Sequence, residues 1–212
     1  MKSARTKLRR LPKRGAHDRA PIDAILDEAL VCHLGFVHDG HPAVVPTLHA
    51  RVGDEVFIHG SAASRMLRTL ATGVEVCLTV TLIDGLVLAR SAFHHSVNYR
   101  SVVLYGTAEP VTEPGDKERV LEAFTEKLVP GRWAGVRWPT RKELKGTAAL
   151  RLPIAEGSAK VRTGPPIDDE EDYALDTWAG VVPMRTEWLP PEADPRLPGD
   201  VDVPEHVRAL VS

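Results

Sequence analysis

The segment His59-Gly60-Ser61-Ala62-Ala63-Ser64-Arg65-Met66 gathers small residues, two hydroxyls and a guanidinium into one short stretch. A phosphate dianion is best held by a guanidinium together with hydroxyl and amide donors, and Ser61, Ser64 and Arg65 bring all three kinds close together. The preceding Glu55-Val56-Phe57-Ile58 reads as a short strand, and Ser64 to Leu70 as the start of a helix whose first amides have no intrahelical partner. An anion at that strand exit would meet backbone N–H groups, hydroxyls and Arg65 together. Ser64 as a plain helix cap and Arg65 as an ordinary surface charge is the alternative reading.

Other residues with chemistry to offer lie further on. His94 and His95 precede Tyr99 and Arg100, so an imidazole there could relay a proton or ligate iron, or serve only a structural or interface role. If they sit on a strand, alternation turns only one of the two into any given pocket. Lys160 and Arg162 share one face if their segment is extended, giving two cations that could steer an anionic substrate or pair with the acids that follow. His33, His38, His41 and His49 lack metal-ligand spacing and read as surface or pore-edge residues. Asp168 to Asp172 reads as a solvated acidic loop, and no metal site is expected. Cys32 and Cys77, inside apolar runs and far apart, read as buried reduced thiols.

These residues need a scaffold of strands. Val31 to Val37, Ala43 to Ala50 and Glu55 to His59 are separated by Asp39-Gly40 and Gly53-Asp54, which are hairpin-closing pairs. Val74 to Ile83 and Leu86 to Ala92 flank a further Asp84-Gly85 turn. Ser101 to Val111 and Thr147 to Leu152 complete the strand candidates. Helices are predicted from Asp18 through Leu30, over Asp116 to Leu128, and more briefly over Pro139 to Leu144. Strands in succession with few long helices imply a mainly β, antiparallel, closed or nearly closed barrel.

With 43% hydrophobic residues the 212-residue chain can bury a core, and a net charge of -2 argues against nucleic acid as the main partner. The first twenty residues carry eight Lys or Arg against the single acid Asp18, which suits a solvated or subunit-wrapping arm. No secretory signal pattern is present, and no apolar run approaches the ~20 residues needed to span a bilayer, so a cytoplasmic protein without a membrane partner is expected. The divisions expected are a basic arm over 1–20, a barrel domain over 21–183 and a Pro-rich tail over 184–212.

Three stretches taken together, Pro42-Ala43-Val44-Val45-Pro46, the Ser64-Arg65 pair, and Ser91 through Ser101, resemble the FMN-binding split barrels. More narrowly, the chain resembles the flavin-nucleotide-binding, nitroimidazole-resistance-like branch of the pyridoxamine 5'-phosphate oxidase family. Lys160 to Pro166 and Trp178 to Pro183 extend the likeness. The resemblance implies an antiparallel split β-barrel with flanking helices, and a homodimer with FMN at the subunit interface. By position, Ser64 and Arg65 would take the phosphate. His59, Gly60 and Ser61 would line the approach to the ring, and Val44, Val45 and Pro46 would meet the isoalloxazine edge. Tyr99, Arg100 and Ser101 would reach the partner's flavin, and Trp178 would stand near the ring. Thr79 and Thr81, with Val44 and Val45, offer an apolar slot with placed polar groups. Family members that oxidise pyridoxamine phosphate carry a Lys where Met66 stands, and a late Arg-x-His motif with no counterpart here, which argues against that reaction. The function implied is an FMN-dependent oxidoreductase passing electrons from reduced nicotinamide to a small organic acceptor. A non-catalytic flavin-binding or redox-sensing protein, and a haem- or deazaflavin-binding split barrel, are the alternatives.

Overall fold

The computed structural model of the protein describes residues 1–199 and 201–211. Two antiparallel sheets enclose one apolar core. The strands in chain order are β1 (Gly15–Ala16), β2 (Val31–His38), β3 (His41–Leu48), β4 (Ala50–Val52), β5 (Glu55–Ser61), β6 (Glu75–Leu88), β7 (Ser96–Thr107), β8 (Glu109–Val111), β9 (Thr147–Pro153), β10 (Glu156–Arg162) and β11 (Gly180–Pro183). The helices are α1 (Arg19–Glu28), α2 (Arg65–Leu70), α3 (Pro114–Leu128), α4 (Arg141–Gly146) and α5 (Glu205–Arg208).

The larger sheet runs β1-β10-β7-β6-β2-β3, with β11 added to β6, and the smaller runs β4-β5-β9-β8. Alternation sends Cys32, Leu34 and Phe36 of β2 inward, where they meet Leu78 and Val80 of β6 and Val102 and Leu104 of β7. Val56, Leu150 and Leu152 close the core from the smaller sheet, and Ile22, Ile25 and Leu26 of α1 cover its end. Each fully buried leucine contributes about 2 kcal/mol to this packing. Helix α3 lies outside, where Val120 and Phe124 form a second cluster with Ala50, Val111 and Ala149. Among the described residues no helix is long and apolar enough to cross a membrane.

The expected strands form with redrawn bounds: Ala43 to Ala50 breaks at His49 into β3 and β4, Ser101 to Val111 belongs to β7 and β8, and β1, β10 and β11 add to the expected set. Asp84-Gly85 does not close a hairpin: β6 continues through it as a single fourteen-residue strand, paired to β7 on both sides of a register shift between Ile83 and Gly85. Local turn chemistry and a β-bulge use the same residues, and the continuous partner β7 decides between them. A Cβ on Gly85 would stand 2.7 Å from the Val182 carbonyl oxygen, so glycine is needed for β11 to lie alongside.

Three surface expectations also change. The basic arm lies on its own sheet: β1 pairs with β10, Arg5 bonds Glu75 and Glu156 and stacks 4.8 Å over the Tyr105 ring, and Thr6 is buried. His49, expected at the surface, is 1% exposed beneath α1 and α3, because β4 and these helices close over it. Asp168, expected to be solvated, is buried, and accepts hydrogen bonds from the Arg90 backbone N–H and guanidinium, both at 3.1 Å. The expected tail, 184–212, includes Asp200 and Ser212, which lie outside the described residues. Its helix α5 returns to α3, setting His206 Cβ 3.5 Å from where a Cβ on Gly131 would be.

Candidate functional site

The strand exit after β5 folds as its sequence suggests, and most of its polar groups satisfy one another. The Ser64 hydroxyl caps α2, accepting from the Leu67 N–H at 3.4 Å. Ser61 Oγ accepts from the Ala63 N–H at 3.2 Å, Ser61 O from the Ser64 N–H at 2.9 Å, and Gly146 O from the Ala62 N–H at 2.9 Å. The hydroxyls therefore shape the turn, and the groups left free to meet an anion are guanidiniums. Arg65 and Arg68 line a cavity of about 430 Å³ with His38, Asp39 and Thr69, and among the described residues neither is ion-paired. His38 Nδ1 lies 2.9 Å from Thr69 Oγ1, and Nε2 lies 3.4 Å from Asp39, which fixes the imidazole at the rim.

Arg68 and His38 were not among the sequence candidates. Arg68 was legible in principle, since it follows Arg65 by three residues and shares its helix face. His38 was not, because the β2–β3 turn reaches α2 only through the tertiary fold.

Several other candidates gather on the outer face of the larger sheet. Register places Pro46, His33, Thr79 and Val103 in one row, and Thr81, Ser101 and Lys160 in the next. Tyr99 stands between Ile83 and Arg162, and Val44 follows Pro46 along the β3 edge at 68% exposure. Val45 and Arg100 fall on the opposite parity. Val45 packs against the core. The Arg100 guanidinium is held within its own chain, bonded to Glu28 and, at 3.0 and 2.7 Å, to Asp84. This arrangement raises the Arg100 pKa and lowers that of Glu28. Arg100 and Thr81 line a second cavity, about 610 Å³, together with Met184 and Trp188 of the C-terminal segment.

Lys160 and Arg162 do share a face, but the Arg162 head is buried and donates to Asn98 Oδ1 and, at 3.2 Å in both cases, to the carbonyl oxygens of Gly164 and Pro165. His94 and His95 sit on a single 3-10 turn, Ala92–His94, and at its cap, not on a strand. His94 Nε2 lies 3.3 Å from Asp169, and His95 Nδ1 lies 2.9 Å from Ser91 O. Trp178 is 67% exposed, with its ring folded against Gly180 at the start of β11.

His59 points away from Ser64, because Val56, Ile58 and Gly60 take the core side of β5. Its ring meets Phe124 of α3 edge-on at 4.2 Å between centroids. Burial lowers its pKa, so the imidazole is neutral. It borders an apolar cavity of about 390 Å³ beneath α3.

The family model described as pyridoxamine 5'-phosphate oxidase matches residues 18–161. A flavocytochrome from Azotobacter vinelandii is 46% identical with a TM-score of 0.94, over 98% of this chain and 97% of its own. A protein from Mycobacterium smegmatis, described as binding FAD and haem, is 40% identical with a TM-score of 0.90, over 93% of this chain and 97% of its own. A structure described as a 5-nitroimidazole antibiotic resistance protein from Bacteroides thetaiotaomicron shares the fold at 20% identity and a TM-score of 0.57, over 69% and 86% of the two chains. No curated protein matches the sequence.

Proposed function

Because the chain belongs to the pyridoxamine 5'-phosphate oxidase family, we propose that it is a flavin-dependent oxidoreductase that also carries haem, with the flavin phosphates held at Arg65 and Arg68. The observation that carries the flavin part is the pair of guanidiniums without ion-pair partners among the described residues, beside an open cavity at the end of β5. Two adjacent cations repel one another, the Asp39 carboxylate on the same cavity pairs with His38 and with neither guanidinium, and a phosphate group relieves that repulsion while accepting their hydrogen bonds. Two guanidiniums on successive turns of one helix suit a pyrophosphate better than a single phosphate. FAD is therefore favoured over the FMN that the family resemblance implies, in line with the cofactor named for the Mycobacterium smegmatis protein. The haem part rests on the descriptions of the two relatives of 46% and 40% identity.

When bound, flavin supplies hydride and single-electron transfer and haem supplies single-electron transfer. The residues of this chain position and insulate. Ser64 fixes the start of α2, so that Arg65 and Arg68 project into the same cavity. The outer face of the larger sheet, with Val31, Val44 and Ile83 each more than a third exposed, supports a homodimer in which a second copy covers those side chains. Two free cysteines and the absence of a disulfide among the described residues fit a cytoplasmic setting.

The visible absorption spectrum of the purified protein, followed by chromatography of heat-released cofactor, tests the reading. Flavin and Soret bands with released FAD are expected. Released FMN alone would restore the mononucleotide reading. A protein that neither contains nor takes up flavin would overturn the proposal.

A further inference from the structure

We infer that the basic N-terminal arm is a docking surface for a small acidic electron-carrier protein, an assignment that rests on the redox reading above. The first twenty residues carry eight Lys or Arg against one acid, whereas residues 21–212 carry 19 against 28. Two of the eight are committed within the chain: Arg5 pairs with Glu75 and Glu156, and Arg19 with Asp23 and Asp54. Lys7, Arg9, Arg10, Lys13 and Arg14 have no ion-pair partner among the described residues, and the first four of these are exposed. Like charges held side by side repel one another, and an acidic partner face relieves that repulsion.

The arm holds these cations in fixed places. The Met1 carbonyl oxygen accepts from the Gly157 N–H at 3.2 Å, Thr6 is buried, Ser3 and Arg5 both bond Glu156, and β1 pairs with β10. Leu8 Cδ1 lies 2.2 Å from where a Cβ on Gly15 would be, so the glycine lets the arm fold back on itself. A surface already ordered loses little conformational entropy on binding. Register carries the arm into the outer face of the larger sheet: Gly15, Lys160, Ser101 and Thr81 form one row across β1, β10, β7 and β6, roughly 14 Å from end to end at the usual strand spacing. A protein seated on the arm therefore stands beside Ser101 and Thr81, two of the sequence candidates for the flavin. Arg14 lies close enough to Arg162 for its charge to add to burial in lowering the Arg162 pKa, which extends the cationic surface along β10.

Three features select an acidic protein over a nucleic acid or an anionic membrane. Leu11, 46% exposed and turned out at φ 54, sits amid the cations, and an apolar side chain ringed by charge is the pattern of a protein interface. No Phe, Tyr or Trp lies among residues 1–20 to stack on a base. The acidic excess over the rest of the chain confines the attraction to the arm, so a small acidic face gains all of it, while a duplex or bilayer wider than the arm meets repulsion around it. Redox encounters between proteins use small interfaces, which suits a surface of this extent. Flavin together with haem handles single electrons, and the carrier supplies them one at a time: each docked reduced carrier is oxidised by one electron, which passes to the cofactor of this chain, and no bond or proton moves at the surface.

The test uses the full chain and a plant-type 2Fe–2S ferredoxin, a small acidic carrier. Binding is read by calorimetry at low and high salt, oxidation of the reduced ferredoxin by stopped flow, and flavin and haem content in the same samples. Wild type should bind with an affinity that falls steeply as salt rises. The double reversal Arg9→Glu with Arg10→Glu should weaken binding at low salt by about tenfold or more, and Arg9→Gln with Arg10→Gln by less, both with unchanged cofactor content. Leu11→Ala should weaken binding while keeping the salt dependence. Wild-type affinity in both charge variants would overturn the docking surface and leave the flavin-and-haem reading intact. Tighter binding of duplex DNA or of phosphatidylglycerol vesicles through the same residues would overturn it in favour of a polyanion. Salt-sensitive self-association abolished by the reversal, without ferredoxin binding, would give the arm to a second copy and overturn it as well. Binding without oxidation by the cofactor-loaded chain would overturn the choice of an electron carrier. A chain that holds neither flavin nor haem yet binds ferredoxin through the arm would uphold the acidic-protein surface and overturn the redox reading.

Discussion

The Lys127 ammonium lies 3.2 Å from Nε2 of His49, and both reach the Leu26 carbonyl oxygen, at 2.7 and 2.9 Å. Two potential cations thus share one acceptor at the end of α1. Burial first, and the neighbouring Lys127 charge second, push His49 down from 6.5 to about 4, while burial brings Lys127 down from 10.5 to about 8. His49 is neutral in the folded state, so acidification below about 6.5 protonates the unfolded chain first. Stability should fall as pH drops towards about 4, by up to about 3 kcal/mol from this group. For Lys127 the unfolded chain binds the extra proton between about 8 and 10.5, and its contribution should rise with pH through that window. Urea midpoints across both windows check this, and His49→Gln should flatten the acid limb. An unchanged acid limb in that variant would remove His49 as its source.

Arg65→Ala and Arg68→Ala should each weaken flavin binding by about tenfold or more, since a charge-assisted phosphate contact contributes about 2 kcal/mol. Thermal stability should hold or rise slightly, because each change relieves like-charge repulsion at the cavity. Flavin fluorescence titration is the measurement. Two variants with wild-type affinity would mean the phosphates bind elsewhere.

Gly85→Ala should destabilise the protein by about 1–3 kcal/mol, because the new methyl would sit 2.7 Å from the Val182 carbonyl and 3.1 Å from the Pro183 Cα. Hydrogen exchange should show the loss concentrated in β11. Uniform protection with an unchanged melting temperature would show that β11 accommodates the methyl without cost.

Arg100→Gln leaves Glu28 and Asp84 without their shared cation. Partial exposure screens these pairs, so the expected loss near neutrality is about 1 kcal/mol. The difference from wild type should shrink in high salt, and again as pH falls far enough to protonate Glu28, whose carboxyl the Arg100 guanidinium holds below its ordinary range. A loss independent of both would mean that Arg100 acts by packing alone.

The fold was legible where a local pattern and the tertiary structure ask for the same thing. Inward Cys32, Leu34 and Phe36 alternate with outward Val31 and His33, and Asp39-Gly40 adopts positive φ at both residues, as a tight hairpin turn requires. Asp84-Gly85 carries the same turn residues, but whether they close a hairpin or bulge a strand depends on β7, which lies elsewhere in the sequence. The site divides in the same way. Arg65 was visible from its neighbours in the chain, whereas the surroundings of His59 are supplied by α3 and the Trp133 loop, more than sixty residues later. Burial of His49 likewise depends on α1 and α3 meeting over β4, which no local spacing encodes.

The pairing of β11 with residues Gly85 to Leu88 bears on how the chain can be cut. The family match ends at residue 161, yet the hydrogen bonds that occupy the outer edge of late β6 come from residues 180–183. A fragment trimmed to the matched span would leave that edge bare, beside the exposed Leu86, and ready to take up a strand from another molecule. The smallest autonomous unit therefore reaches at least to Pro183, and the segment after β10 serves as a built-in guard against self-association.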